Sequence, residues 1–328
     1  MNQKAKNFFL TSKKFIIIFD VLWSPVTLLS TIWLKAVKKG LRVLPVSEKI
    51  FMKVGVLPVP DQYYQPLINP KKYLKDSLKK NRKLPGVNFH NGEEQVTLLS
   101  KFYYNEELLS FPLEKTDKLE YYYHNINFGS GDAEYLYNIV RHFKSKKIIE
   151  IGCGHSTLMI RNAVKMNTKE DAGYQCDHIC IEPYEMSWLT QLNINVIRQK
   201  VEDVDLSVFT SLQKNDILFI DSSHIIRPQG DVLFEYLQLL PILKSGVLIH
   251  IHDIFTPNEY PDDWLNNKHL MWNEQYLLEA FLCFNDQFTI LGALNYLYHN
   301  YTDKLLDKCP VLAKEGNREP GSFWMVRK

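Results

Sequence analysis

Four polar side chains in the second half of the chain, Asp221, His224, His252 and Asp253, have the types and spacing of a proton-transfer or cation site. Each pair follows an apolar run that reads as a strand, residues 216–221 and 246–253, so both pairs should open at strand ends onto one crevice. An imidazole titrates near neutral pH and can act as a general base, a role open to His224 and His252. Two carboxylates with imidazoles nearby can also hold Mg2+ or another divalent cation, which lowers the pKa of a coordinated hydroxyl; Asp221 and Asp253 are the candidate ligands. The alternative reading has Asp221 touching cofactor or acceptor directly, while His250 and His252 are hydrogen-bonded structural residues. His250 is expected on the opposite face of the sheet.

A second constellation lies upstream. Residues 147–157, Lys-Ile-Ile-Glu-Ile-Gly-Cys-Gly-His-Ser-Thr, read as a buried strand running into a glycine turn and a helix start. Gly152 and Gly154 admit close approach of backbone to a ligand, Ser156 or Thr157 can cap the helix, and Glu150 is expected to project into the site. That pattern builds a nucleotide-type cofactor site, although the third glycine of a dinucleotide fingerprint is absent. The next strand, residues 178–182, ends in Glu182, whose carboxylate can accept both hydroxyls of a ribose. Pro183 directly after it fixes a turn that aims the acid inward.

The elements that position these groups alternate. A third strand at residues 194–199 leads to Glu202 and Asp203, and helical segments at 156–165, 184–191, 206–213 and 231–243 separate the strands. Such β/α alternation builds a parallel sheet, whose strand carboxyl ends are where ligands bind.

In their order and spacing, Glu150-x-Gly152-x-Gly154, Glu182, Glu202-Asp203, Asp221 and the Leu-Lys-Ser-Gly of residues 243–246 resemble the class I S-adenosylmethionine-dependent methyltransferases. A closer likeness, carried by residues 220–224, 250–255, 259–261 and 272–276, is to a bacterial branch associated with modification of surface polysaccharides and other glycosides. The resemblance implies a Rossmann-like seven-stranded α/β sheet with helices on both faces. Its last strands, residues 287–291 and 322–326, would follow a helix at 272–284 and form an antiparallel edge. Carried over by residue, it implies that Gly152 and Gly154 approach the methionine and ribose of S-adenosyl-L-methionine, with Glu150, Cys153 and Ser156 in the same turn. Glu182 would hold the ribose hydroxyls, and Glu202 and Asp203 would flank the adenine. His155 departs from the small residue many members carry there. The activity implied is O-methylation of a glycan or glycolipid precursor, divalent-metal assisted where Asp221 and Asp253 bind a cation. A hydroxylase-like enzyme on the same fold, or a noncatalytic cofactor-binding assembly protein at the membrane, are the alternatives.

The net charge of +2 conceals an asymmetry: residues 1–83 carry 17 Lys and Arg against 4 Asp and Glu, and the remainder 22 against 33. The basic end includes an apolar run at residues 15–34 flanked by lysines, with Trp23 and Trp33 near its boundaries. Asp20 and Pro25 interrupt it, so a helix in the headgroup plane of an anionic membrane fits better than a span. A signal peptide, or packing onto the enzyme body or a second subunit of a homo-oligomer, are the competing explanations. Five scattered cysteines make no disulfide framework and point to a reducing, cytoplasmic setting at the inner face of the membrane. No base-stacking pattern accompanies the lysines of residues 71–83, which excludes a nucleic-acid site. The expected organisation is a basic apolar segment at 1–45, a connector at 46–91, a helical cap at 92–128 and the methyltransferase domain at 129–328. Asp132 is a helix cap or a ligand contact. The aromatic residues of the cap, Phe102, Tyr103, Tyr104, Tyr121, Tyr122 and Tyr123, suit either stacking on a sugar or a core.

Overall fold

The computed structural model describes residues 13–40, 44–56, 58–59, 61–62, 64–74, 82–89, 92–184, 186–316 and 318–328. The remaining parts of the expected segments at 1–45 and 46–91, and of the lysine-rich run at 71–83, lie outside the described residues. Two compact units divide the chain, Met1–Lys75 and Asp76–Lys328. In the first, Lys13–Gly40 forms one unbroken helix that contains Pro25, followed by Pro45–Val54, which ends on Gly55 in the left-handed conformation. Asp20 and Pro25 were expected to interrupt the apolar run; they do not stop the helix.

The second unit is built on seven strands: β1 Lys147–Ile151, β2 Asp177–Ile181, β3 Asn195–Ile197, β4 Ile217–Ile220, β5 Leu248–Ile251, β6 Phe288–Ala293 and β7 Phe323–Arg327. Their order is β3-β2-β1-β4-β5-β7-β6, with β1 to β5 parallel and β7 antiparallel to both neighbours. This is the Rossmann-like sheet the resemblance implied, including its antiparallel edge. Strand order reverses between β1 and β4, and a crevice opens at such a switch point.

Side chains along a strand alternate between the two sheet faces, each covered by its own apolar cluster. Ile148, Phe219, Leu248 and Trp324 meet the helices Asp132–Phe143 and His155–Glu170, whereas Ile149, Ile151, Ile220 and Ile251 pack with Val232, Leu239 and Leu278 on the other face. Phe102, Tyr104, Tyr121 and Tyr123 belong to the first cluster and are almost fully buried. Of the aromatic residues considered for sugar stacking, these four are core, and Tyr103 points to solvent. Residues 92–128 thus pack into the same core as the sheet.

Several helices differ from expectation for local reasons. Residues 184–191 shrink to a 3-10 turn at Ser187–Gln191, and 206–213 ends at Thr210. Residues 231–243 break into an α turn at Asp231–Phe234, a π turn at Glu235–Leu239 and a 3-10 turn at Leu240–Ile242. Pro241 lacks the N–H that would continue the α ladder, and the wider turn carries the fully buried Glu235 beneath the strand ends.

Arg141 locks the helix Asp132–Phe143 in place. Its guanidinium is fully buried, donates to both oxygens of Glu107 at 2.9 and 3.0 Å, and also reaches Glu170 and Asn167 on the adjacent helix. Because Glu107 and Glu170 stay partly exposed, losing these charge-assisted hydrogen bonds costs about 1.5–3 kcal/mol. Arg141→Met is expected to lower the denaturant midpoint accordingly, and Arg141→Lys, which keeps the charge but loses the fork, should recover less than half of the loss. A midpoint unchanged in both variants would contradict this role.

Candidate active site

Two cavities meet at the carboxyl ends of the central strands. The smaller, about 290 Å3, is lined by Gly152, Glu182, Tyr184, Glu202, Asp221 and Ser223 among others. The larger, about 790 Å3, shares Asp221, Ser222 and Ser223 with it and extends past His224, His252 and Asp253 to Trp264 and Trp272. A cofactor in the first would therefore reach an acceptor in the second across the segment 221–223.

The glycine turn is shaped by backbone crowding. Gly152 adopts φ +77°, and a Cβ there would lie 1.9 Å from the carbonyl oxygen of Asp221. Its N–H donates to Ile181 O at 3.1 Å, while Asp221 N donates to Ile151 O at 2.9 Å. The close approach that demands a glycine is thus to the end of β4. At Gly154, which precedes the helix His155–Glu170, the space a Cβ would take is open.

Of the acids and turn residues expected at the cofactor, Glu182 and Glu202 line the small crevice with Gly152. Glu182 is 8% exposed and accepts from Cys153 N at 3.3 Å and Tyr184 N at 2.8 Å, so the turn and the end of β2 are stitched together through it. Asp203 is exposed and does not line the crevice. Glu150 does not project into either cavity. It is fully buried, accepts from Ser156 Oγ at 2.6 Å and faces His178 Nε2 at 3.0 Å, because it lies on the sheet face under the helix rather than at the strand tip. Ser156 and Cys153 are buried in the same place.

Asp221, His224 and Asp253 are brought together as their spacing implied. His224 Nε2 lies 3.3 Å from Asp221 Oδ1 and 3.6 Å from Asp253 Oδ2, and one donor atom from each of the three falls within 4.8 Å of the others. His252 Nε2 sits 3.5 Å from Asp253 Oδ1. Both His224 (φ 59°) and Asp253 (φ 56°) hold left-handed backbone, uncommon for residues with a side chain and a recurrent sign of a functional site. On its other edge His224 Nδ1 meets the fully buried Glu274 at 2.9 Å, and the ring packs against Trp272 at 4.4 Å with the planes tilted by 37°. Tyr236 donates to the second oxygen of Glu274 at 3.2 Å.

The charges act on one another. Burial opposes ionisation of Asp221, but the neighbouring His252 and His224 outweigh it and hold the carboxyl below its usual range. Burial likewise disfavours the His224 imidazolium, yet its bonds to Asp221 and Glu274 and the charge of Asp253 raise its pKa well above that of a free imidazole. Burial pushes Asp253 up.

His250 shares a face with His252, contrary to the expected opposite orientation, since residues two apart on a strand point the same way. The two rings stack at 5.6 Å, His250 bonds Ser322 Oγ at 3.0 Å, and burial next to His252 drives its pKa well below normal. Asp132 is neither the helix cap nor a free ligand group, although it borders the large cavity. Its carboxylate accepts from Gly321 N and Ser322 N at 2.9 and 2.8 Å, joining its helix to the start of β7. Sequence reasoning gave Glu274 and Trp272 no role. They lie in the Trp-Asn-Glu-Gln-Tyr stretch at 272–276, but nothing local pairs Glu274 with a histidine 50 residues earlier.

Residues 149–254 match the family model described as a methyltransferase domain. A protein of Archaeoglobus fulgidus, described as uncharacterized, is 29% identical over 183 residues, covering 52% of this chain and 80% of that one. Among solved structures, the chain is similar to an O-methyltransferase from Bacillus cereus in complex with S-adenosylhomocysteine. That match has 12% identity and a TM-score of 0.35, and covers 78% of this chain and 96% of that one. It is also similar to a Plasmodium falciparum structure described as a beta-aspartate methyltransferase in complex with S-adenosyl-L-homocysteine, at 13% identity and a TM-score of 0.27, covering 48% and 83%. The matched segment runs from β1 just past β5, so it is the parallel part of the sheet that is similar to a methyltransferase domain.

Calorimetry with S-adenosylhomocysteine tests the crevice. Glu182→Ala should weaken binding about ten- to a hundredfold, the loss of charge-assisted hydrogen bonds worth roughly 1.5–3 kcal/mol. Gly152→Ala should destabilise the fold by about 2–4 kcal/mol through left-handed strain and overpacking against Asp221. Wild-type affinity in Glu182→Ala would move the cofactor elsewhere.

Proposed function

We propose that the protein transfers a methyl group from S-adenosyl-L-methionine to a hydroxyl of a glycan or glycolipid precursor, with a divalent cation held by Asp221, Asp253 and His224. The observation that carries the cation is the charge imbalance around one imidazole. Asp221, Asp253 and Glu274 all converge on His224 within 3.6 Å, and with His252 beside Asp253 two histidines face three carboxylates. The donor separations of 3.3 and 3.6 Å suit ligands at right angles around one ion of Ca2+ size, within the range of about 2.8–3.7 Å that Mg2+ to Ca2+ bond lengths allow. Two carboxylates and an imidazole accept Mg2+ or Mn2+. When bound, the cation would supply positive charge that makes an acceptor hydroxyl more acidic.

The chain's own residues then have separable tasks. Glu274 fixes the ring of His224 through Nδ1, as outer-shell carboxylates orient ligating histidines. Glu182 and Glu202 hold the cofactor's ribose and adenine side, and Ser222 and Ser223 line the passage between the cavities. His252, beside Asp253, is placed to take the hydroxyl proton. Tyr260, Trp264 and Trp272 form an aromatic wall in the larger cavity, with Asn127, Asn258 and Asp262 around it. Flat apolar rings beside amide and carboxylate hydrogen-bonding groups suit a sugar, whose faces are apolar and whose edge is a row of hydroxyls. A second reading, in which His224 itself is the base and no cation is needed, is favoured by the Glu274–His224 pair, which would stabilise an imidazolium.

Chelation separates the two. Activity should fall at least a hundredfold on exhaustive chelation and return on adding Mg2+ or Mn2+, and Asp253→Asn should raise the cation concentration needed for half-activity. His224→Ala should depress turnover more than cofactor affinity. Full activity without any divalent ion would reject the cation and leave the direct-base reading.

We further propose that the N-terminal helix holds the enzyme at the cytoplasmic face of an anionic membrane, where lipid-linked acceptors concentrate. Phe15–Val37 is long and apolar enough to cross a bilayer, and its residues lie exposed apart from half-buried Leu34 and buried Val37. Four of its polar side chains, Asp20, Ser24, Thr27 and Thr31, fall at spacings of four, three and four, which puts them along one face, with Ser30 off it. That stripe and the lysines can stay in water while Trp23, Trp33 and the aliphatic residues enter the headgroup boundary. Five free cysteines suit a reducing compartment. The protein should sediment with anionic vesicles at low salt and be released at high salt; removing residues 1–40 should abolish sedimentation and preserve cofactor binding. Retention at high salt and alkaline pH would indicate a span instead, and no sedimentation at all would assign the helix to a subunit interface.

A further inference from the structure

Directly beneath the glycine turn, four potential metal ligands that neither cavity exposes point at one another. Glu150 on β1, Cys153 in the turn, and His178 and Cys180 on β2 are exposed by 0, 6, 2 and 0% respectively. Parallel pairing sets Glu150 opposite Cys180, and the period of two on β2 puts His178 on the same face. We propose that these residues bind a structural Zn2+ ion that fastens the cofactor turn to β2.

The separations among Glu150, His178 and Cys180 are close to those of a tetrahedral site, with Cys153 near Glu150 and Cys180. Cys180 Sγ lies 3.6 Å from His178 Nε2 and 3.5 Å from Glu150 Oε2, and His178 Nε2 lies 3.0 Å from the same Oε2. Cys153 Sγ completes the group, its sulfur within 4.8 Å of the donor atoms of Glu150 and Cys180. Zinc bonds of about 2.3 Å to sulfur and about 2.0–2.2 Å to nitrogen or oxygen place neighbouring ligands about 3.4–3.8 Å apart at tetrahedral angles. Only the nitrogen–oxygen pair is closer, as expected where a proton rather than an ion lies between them. Glu150 Oε1 is tied by the Ser156 hydroxyl at 2.6 Å, which leaves Oε2 aimed at the other donors. Ligating carboxylates are commonly held in this way.

The donor chemistry is that of zinc and differs from that of the strand-end cluster. Two thiols with an imidazole and a carboxylate select a borderline-soft ion, whereas Asp221 and Asp253 suit a hard one. On binding, both thiols and the imidazole give up protons to solvent and the two thiolates and carboxylate offset the ion's charge. Complete burial means the ion is taken up as the chain folds and exchanges slowly thereafter. Its function follows from the neighbour: Cys153 N donates to Glu182 Oε2 at 3.3 Å, so holding Cys153 holds the acid at the cofactor crevice. This inference does not depend on the acceptor or on the cation at Asp221.

Metal analysis of the full-length protein purified without added metal should find about one Zn2+ per chain that survives brief EDTA treatment. It should persist in the Asp221→Asn/Asp253→Asn double variant and fall at least tenfold in Cys153→Ser/Cys180→Ser. Should the serine variant fail to fold, wild-type protein produced in cobalt medium serves in its place. It should show the near-ultraviolet thiolate-to-cobalt absorption and strong visible bands of a tetrahedral sulfur-ligated ion. Less than a tenth of an equivalent of metal with both cysteines free on denaturation, a Cys153–Cys180 disulfide by mass spectrometry, or zinc lost from the aspartate variant instead would each overturn the proposal.

Discussion

The contact on which the site depends is backbone against backbone at the junction of β1 and β4. Gly152 turns in the left-handed region with the Asp221 carbonyl where its side chain would be, and Asp221 N closes the junction onto Ile151 O. Because the strand order reverses at this point, the loops after the two strands diverge and leave a crevice between them. One steric constraint therefore sets both the shape of the glycine turn and the position of the aspartate shared by the two cavities. A cofactor held against the turn and an acceptor held against Asp221, as proposed, would be neighbours for that reason.

Around this junction the protein concentrates ionisable groups in a way that stability alone does not favour. Asp221, His224, Asp253 and Glu274 sit among apolar residues, and Glu235 lies fully buried beside them with its pKa driven far upward, first by burial and then by the charge of Glu274. An uncompensated buried charge costs several kcal/mol, and groups so placed are characteristic of sites that bind or transfer charge. The surrounding frame bears this cost through well-satisfied anchors on the helix Asp132–Phe143. Glu134 is one: its carboxylate accepts from Gly131, Val311 and Leu312, although burial still raises its pKa to about 7. Asp132 is another, joining the same helix to β7.

The fold was legible because its signals are local and repeated. Runs such as Ile148–Ile149 and residues 217–220, each followed by a turn and a helical stretch, state a parallel sheet, and the polar residues closing each run mark the ligand end. The pair Asp221 and Asp253 followed from matching strand ends. Helix lengths were less legible. Pro241 and the buried Glu235 convert one expected helix into three kinds of turn, an outcome set by what the segment must pack against.

By itself, the sequence determined where the strands of the parallel sheet fall and the need for glycine at the turn, since each depends on residues adjacent in the chain. Tertiary structure alone decided which polar groups face a cavity. Glu150 lies near the end of β1 and Glu182 directly after β2, yet one is sealed under a helix with His178 and the other borders the crevice. The reason is geometric: at the last residues of a strand a single position changes the face on which a side chain emerges. Likewise Glu274 meets His224 only because β4 and the helix Glu274–Leu282 converge. Spacing along a chain carries no record of that convergence.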